Sequence, residues 1–259
     1  MRLLKTLSFY AILGVSFVIT LPAYAGKAHV SVAANFTATA QDLAQAFTKT
    51  TGHEITLSFG STGKLFTQII HGAPFDVFLA ADVERPVLLE KEGWVVLGSR
   101  FTYAQGQIVL WSRDPSRINP NGNLVEQSAL MRDQTTTRLA IANPKTAPYG
   151  RAAIETLNRA GVYEDLKSKI VQGENIAQTY QFAYTGNAEL AIVSLSQAGL
   201  SEMGSHWVIP TELYSSLDQQ VVLLKRAADN KAALAFMAFL QSDEAAGIIR
   251  KFGYTTIQD

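Results

Sequence analysis

Ser58-Phe59-Gly60-Ser61-Thr62-Gly63-Lys64 lies between a strand-like run at residues 53–57 and the helical pattern Leu65-x-x-x-Ile69-Ile70. A strand that turns through glycines into a helix start aims several backbone N–H groups, and the positive end of the helix dipole, at one small volume. Gly60 and Gly63 let the backbone come close to a ligand, and the hydroxyls of Ser61 and Thr62 add donors that carry no charge. The stretch therefore predicts an anion site, although the same residues would also serve an ordinary capped loop. A nucleotide P-loop is excluded. It needs Gly five residues before the Gly-Lys pair and Ser or Thr after the Lys. Those positions hold Ser58 and Leu65.

Working outward, the same pattern recurs. His29-Val30-Ser31-Val32-Ala33-Ala34 alternates as a strand and runs through Asn35-Phe36-Thr37 into Leu43 and Phe47 at helical spacing, with Asn35 where an N-cap would sit. Downstream of the Gly-Ser-Thr-Gly turn, Phe75-Asp76-Val77-Phe78-Leu79-Ala80-Ala81-Asp82 is an apolar strand ending in small residues and an acid. Strand, helix, strand, helix, strand predicts a right-handed parallel α/β sheet with its ligand at the carboxyl ends of the strands. The run 103–112 reads as a further strand, and the polar Pro/Asn/Gly stretch 114–123 as a surface loop at a boundary.

A second α/β unit follows. Leu139-Ala140-Ile141-Ala142 is a short buried strand, and Asn143-Pro144-Lys145-Thr146-Ala147-Pro148-Tyr149-Gly150 turns into a helix. Pro148 near the first helical position leaves Tyr149 and Gly150 as free N–H donors. Lys169-Ile170-Val171, the turn Glu174-Asn175-Ile176-Ala177 and a helix leading to Leu190-Ala191-Ile192-Val193 repeat the arrangement. Two α/β lobes with helix N-termini facing a cleft are expected. The strand 219–224 and a single helix over 231–251 are read as returning to the first lobe, because two crossings make a hinge that closes on a ligand.

The start of the chain reads as a secretory signal: Arg2 and Lys5, an apolar core over 7–21, then Ala23-Tyr24-Ala25 before Gly26. The apolar run is shorter than the roughly 18 residues expected of a spanning helix. With no cysteine, lipid attachment at a cleavage-site Cys, disulfides and thiolate metal sites are excluded. Cleavage removes two of the 22 basic residues and none of the 22 acidic ones, leaving a mature chain of net charge −2. A basic field for nucleic acid is missing.

Taken together, Ala33-Ala34-Asn35-Phe36, Phe59-Gly60-Ser61-Thr62-Gly63, the segment from Gly72-Ala73-Pro74 to Ala80-Ala81-Asp82, Asn143-Pro144 with Ala147-Pro148-Tyr149-Gly150, and Lys251-Phe252-Gly253-Tyr254 resemble the ModA family of periplasmic molybdate-binding proteins of ABC importers. The resemblance covers nearly all of residues 26–259. It implies a two-lobed, type II periplasmic binding protein, each lobe a mixed, mainly parallel sheet flanked by helices, with the ligand in the cleft. Residues 1–25 would be the signal peptide, 26–105 with 215–259 lobe I, and 106–214 lobe II. The ligand would be molybdate or tungstate, with no cofactor, and molybdenum would enter only as the bound oxyanion. The partners would be an inner-membrane permease and ATPase, and the protein a periplasmic monomer without catalytic activity.

By the same resemblance, Asn35 and Thr62 would bind the anion through backbone N–H and side chain, with Ser61 beside Thr62, and Tyr149 and Ile176 would each give a backbone N–H. Many members use a tyrosine hydroxyl where this chain has Ser194, so the ring of Tyr149 is expected to supply that contact, or the site to have one bond fewer. Glu174, near Ile176, is the one acid that could add a carboxylate.

Three other readings compete. A hydrolase using Ser61 or Thr62 would need a histidine base and an orienting acid, yet His29, His53, His71 and His206 all lie outside the strand-end turns. Binding of sulfate, phosphate or ferric iron keeps the fold and changes the ligand; iron would want adjacent tyrosines or a His/carboxylate set. A transcription-regulator effector domain would carry a DNA-binding helix pair in place of an export signal. Intact-mass analysis of the exported protein should give a chain starting at Gly26; a membrane-bound product retaining residues 1–25 would contradict the cleavage reading.

Overall fold

The computed structural model describes residues 25–256, so the expected signal sequence, apart from Ala25, lies outside the described residues. In chain order the elements are β1 (Lys27–Ala33), α1 (Thr37–Thr51), β2 (Glu54–Gly60), α2 (Thr62–Ile70), β3 (Val77–Leu79), α3 (Glu84–Lys91), β4 (Phe101–Gly106) and β5 (Ile108–Ser112). They continue with α4 (Leu124–Arg132), β6 (Leu139–Ala142), α5 (Pro148–Arg159), α6 (Tyr163–Leu166), β7 (Ile170–Gly173), α7 (Ile176–Tyr184), β8 (Leu190–Ser194) and α8 (Leu195–Ala198). The last are β9 (Ser205–Val208), β10 (Leu217–Leu223), α9 (Lys231–Phe239) and α10 (Asp243–Lys251).

The strands form two five-stranded sheets of one design, ordered β2-β1-β3-β10-β4 and β7-β6-β8-β5-β9. In the first, β1 runs parallel to β2 and β3, and β10 is antiparallel to β3 and β4. In the second, β6 runs parallel to β7 and β8, and β5 is antiparallel to β8 and β9. The chain passes between the sheets at Gln107 and again over residues 209–216.

Three sequence expectations change. The run 103–112 is two strands in different sheets, because Gln107 interrupts the pairing while both halves keep strand character. The loop 114–123 joins β5 to α4, within the second unit. The single helix over 231–251 is two helices bent by 67°. Ser242 stops the first and caps the second, its side chain accepting from the Ala245 N–H, with Asp243 and Glu244 completing the favourable first turn.

Burial explains the apolar strands. Leu139, Ala140, Ile141 and Ala142 of β6 and all of β8 are covered on both faces, as parallel strands flanked by helices require. Trp111, Leu157 and Ile192 anchor the second unit's core. In the first unit, Val30, Val32, Phe47 and Phe236 pack on one face of the sheet, and Leu65, Phe78, Leu89 and Val222 on the other.

One glycine fixes the height of a helix over its strand. A Cβ on Gly150 would lie 2.1 Å from the Ala142 carbonyl oxygen, so only glycine lets α5 start directly above the end of β6. Gly150→Ala should displace that helix start and cost about 1–3 kcal/mol of stability, as overpacking does. Urea unfolding measures this; a wild-type midpoint would contradict it.

Candidate functional site

Four strand-to-helix turns meet between the two sheets. β1 ends in a single tight turn, Ala34–Phe36, that holds Asn35 before α1 begins. β2 ends at Gly60; Ser61 is the extended cap residue of α2 (φ −70°, ψ 144°) and Thr62 its first helical residue. Tyr149 follows Pro148 at the start of α5, and Ile176 opens α7 behind Asn175. N–H groups in a first turn have no acceptor in their own helix, and the dipole makes each such end electropositive.

Contacts show the convergence. The Gly63 N–H donates to the Thr146 carbonyl at 2.8 Å, joining the starts of α2 and α5. Asn35 Nδ2 reaches the Tyr149 hydroxyl at 3.4 Å, joining the turn after β1 to α5. Ala177, in the first turn of α7, lines the same groove as Ala34 and Asn35.

The side chains divide into free donors and a supporting frame. Ser61 Oγ is buried with no hydrogen-bond partner, and it makes no cap bond to its own helix. By contrast Asn123, Asn230 and Ser242 cap α4, α9 and α10 through their side chains. Thr62 Oγ1 accepts from the Ala81 N–H at 3.2 Å, which leaves its own proton to donate. Asn35 belongs to the frame: its Nδ2 donates to Gln219 Oε1 at 2.9 Å and to the Tyr254 hydroxyl at 3.1 Å. Its carbonyl accepts from the Tyr254 hydroxyl at 2.8 Å and from Ser196 Oγ at 3.1 Å. The Tyr149 hydroxyl accepts from Gln219 Nε2 at 3.1 Å, and Tyr103 donates to Gln219 Oε1 at 3.1 Å.

The two weaker candidates sit differently. Ser194 is wholly buried at the end of β8, but its hydroxyl donates to Gln197 Oε1 at 2.8 Å and touches Ser196 Oγ at 3.0 Å, inside its own unit. Glu174 is exposed and drawn to Lys64 across the cleft. Sequence reasoning did not single out Gln219, Tyr103 or Ser196. Tyr254 was visible only as the end of a terminal motif, and Gln219 only as a polar residue opening an apolar strand.

Electrostatically the interior is neutral. Burial pushes the Tyr254 phenol up to about 12 and those of Tyr103 and Tyr149 well above their ordinary value, so all three stay protonated. Among the described residues, charged side chains gather beside this interior. There Arg151 of α5 reaches Asp82 at 3.2 Å and Glu84 at 2.5 Å on the other unit, and Arg85 also holds Asp82. The hydrogen bond from Arg151 holds Glu84 below the usual carboxylate range.

Among the described residues no three His, Cys, Asp or Glu side chains gather as a metal site. His29 pairs with Ser58, His53 accepts from the Gly26 N–H, and His71 bonds the Thr67 carbonyl. His206 lies in β9, so no histidine stands beside Ser61 or Thr62 as a base. The arrangement suits capture of a small anion by neutral donors.

Residues 28–255 match the family model of bacterial extracellular solute-binding proteins. The molybdate-binding protein ModA of Rhodobacter capsulatus is 48% identical over 238 residues, 92% of each chain. That of Azotobacter vinelandii is 48% identical over 235 residues, 90% of this chain and 91% of that one. A solved structure of an A. vinelandii periplasmic molybdate-binding protein superposes with a TM-score of 0.82 at 36% identity, covering 88% of this chain and 98% of that one. This chain belongs to the bacterial extracellular solute-binding proteins, and within them to the ModA family.

Proposed function

We propose that this protein captures molybdate, and tungstate with it, in the cleft between its lobes and delivers the oxyanion to the permease and ATPase of an ABC importer. It acts as a periplasmic monomer, needs no cofactor, and as a solute-binding family member is a transport component, not an enzyme. The observation that carries the reading is the Ser61 hydroxyl, buried and unpartnered where four helix starts converge. An unsatisfied buried hydroxyl is costly unless a ligand completes it.

The proposed donors are the N–H groups of Asn35, Thr62, Tyr149 and Ile176 with the hydroxyls of Ser61 and Thr62. Each hydrogen bond to a charged oxygen contributes about 1.5–3 kcal/mol, so such a set supports tight binding after desolvation and closure are subtracted. Asn35 acts chiefly through its backbone, because its side-chain amide is committed to Gln219 and Tyr254. The Tyr149 hydroxyl, engaged by Gln219 and Asn35, supports that frame in place of a ligand contact, and Ser194 stays within its own unit.

Neutral donors also set selectivity. Hydrogenphosphate brings a proton that no nearby acceptor takes, an omission costing about 1–3 kcal/mol. Sulfate is unprotonated but smaller than molybdate, so donors spaced for the larger ion cannot all reach it. Tungstate nearly matches molybdate in size and charge.

Calorimetry should show molybdate and tungstate bound comparably, with sulfate and phosphate far weaker. Ser61→Ala should lower molybdate affinity by roughly 1–3 kcal/mol while leaving ligand-free stability unchanged, because that hydroxyl has no partner within the protein. Sulfate binding equal to molybdate would replace the ligand assignment with sulfate. Unchanged affinity in Ser61→Ala would mean the site lies elsewhere.

A further inference from the structure

The proposed donors do not explain why position 63 of the organising turn is glycine. Its φ is not positive, so backbone conformation alone does not demand glycine. Space does. A Cβ built there would lie 3.0 Å from the Thr146 carbonyl oxygen and 3.1 Å from the Thr146 Cα, both backbone atoms of the opposite lobe. Gly60, three residues earlier in the same Gly-Ser-Thr-Gly motif, differs: its added Cβ would meet only the Leu65 side chain, at 3.3 Å.

Here the lobes touch backbone to backbone, and the Gly63 N–H to Thr146 carbonyl bond of 2.8 Å marks the contact as fully made. The adjacent residue Lys64 pairs with Glu174 across the same gap, and Arg151, further along α5, pairs with Asp82 and Glu84. Apart from the buried Asp82 those side chains are partly exposed, and all have rotatable bonds through which they yield when the lobes shift. Two backbones in contact do not, because no rotamer change relieves them.

We propose that Gly63 against Thr146 is the mechanical stop of lobe closure, and that it determines which size of anion the site accepts. The inference rests on the oxyanion reading above. With the stop in place, the cleft cannot contract further around a smaller anion, so sulfate leaves some donors out of hydrogen-bond reach while molybdate satisfies them. Glycine is needed because any side chain would move the stop outward and hold the donors of α2 away from those of α5.

The test is calorimetric titration of molybdate, tungstate and sulfate into wild type, Gly63→Ala and Gly60→Ala, with thermal unfolding of each ligand-free protein. Gly63→Ala should still unfold cooperatively without ligand, showing that it folds, and lose at least about tenfold in affinity for molybdate and tungstate alike, with no gain for sulfate. Gly60→Ala, whose added Cβ meets only a side chain, should lose markedly less molybdate affinity than Gly63→Ala. Gly63→Ala binding molybdate as wild type does, or losing no more than Gly60→Ala, would overturn the stop while leaving the oxyanion reading intact. Wild type that binds none of the three anions would overturn the oxyanion reading, and the size selection with it.

Discussion

Backbone N–H groups at the start of a helix must find acceptors that the helix itself does not offer, and four such starts converge at the cleft. Elsewhere the chain meets that requirement locally, as Asn123, Asn230 and Ser242 do for their helices. At the cleft α1, α2 and α5 start without a side-chain cap, Asn175 caps α7 only through the Gln178 N–H, and the unpartnered Ser61 hydroxyl adds a further donor. An anion is the complement of such a place, because it accepts several hydrogen bonds at once and sits favourably at the positive ends of the dipoles. Held by the neutral donors proposed among the described residues, the ion would form no ion pair that would be hard to release.

The donors belong to both lobes, so the anion also governs how the lobes sit. Asn35 is the node of that coupling. Its carbonyl takes Ser196 from the second unit and Tyr254 from the C-terminal segment, while its amide holds Gln219 and reaches Tyr149. Tyr254 is itself tied in by the Gln105–Thr255 pairing, which fastens the end of the chain to β4 just before the first crossing. A frame made of neutral, mutually bonded groups fixes the turn after β1 without placing a titratable charge near the ligand.

What could be read from sequence was what is local. The strand-turn-helix at 58–64 announces itself through alternation, glycines and helical spacing, all within a dozen residues, and the turn at 143–150 does so through Pro148. The division of 103–112 between two sheets was hidden, because Tyr103 and Val109 look alike as strand residues and only tertiary pairing separates them. The break at Ser242 carried a legible cap signal that the apolar run around it masked. The frame around Asn35 was out of reach: its partners Tyr149, Gln219 and Tyr254 lie 114, 184 and 219 residues away. Resemblance to a family indicated that Asn35 matters; the structure indicates that its side chain bonds the protein's own groups.

The central claim is that a doubly charged anion is held by neutral donors alone, with no protonation change. Burial raises the phenols of Tyr254, Tyr103 and Tyr149 well above their ordinary value, so they remain protonated with or without ligand, and among the described residues no histidine or carboxylate hydrogen-bonds the proposed donors. Calorimetric titration of molybdate in two buffers of different ionisation enthalpy, between about pH 7 and pH 9, counts the protons exchanged. The account predicts the same heat in both buffers, meaning no proton taken up or released. A buffer-dependent heat corresponding to about one proton per anion would place a titrating group at the site and contradict it.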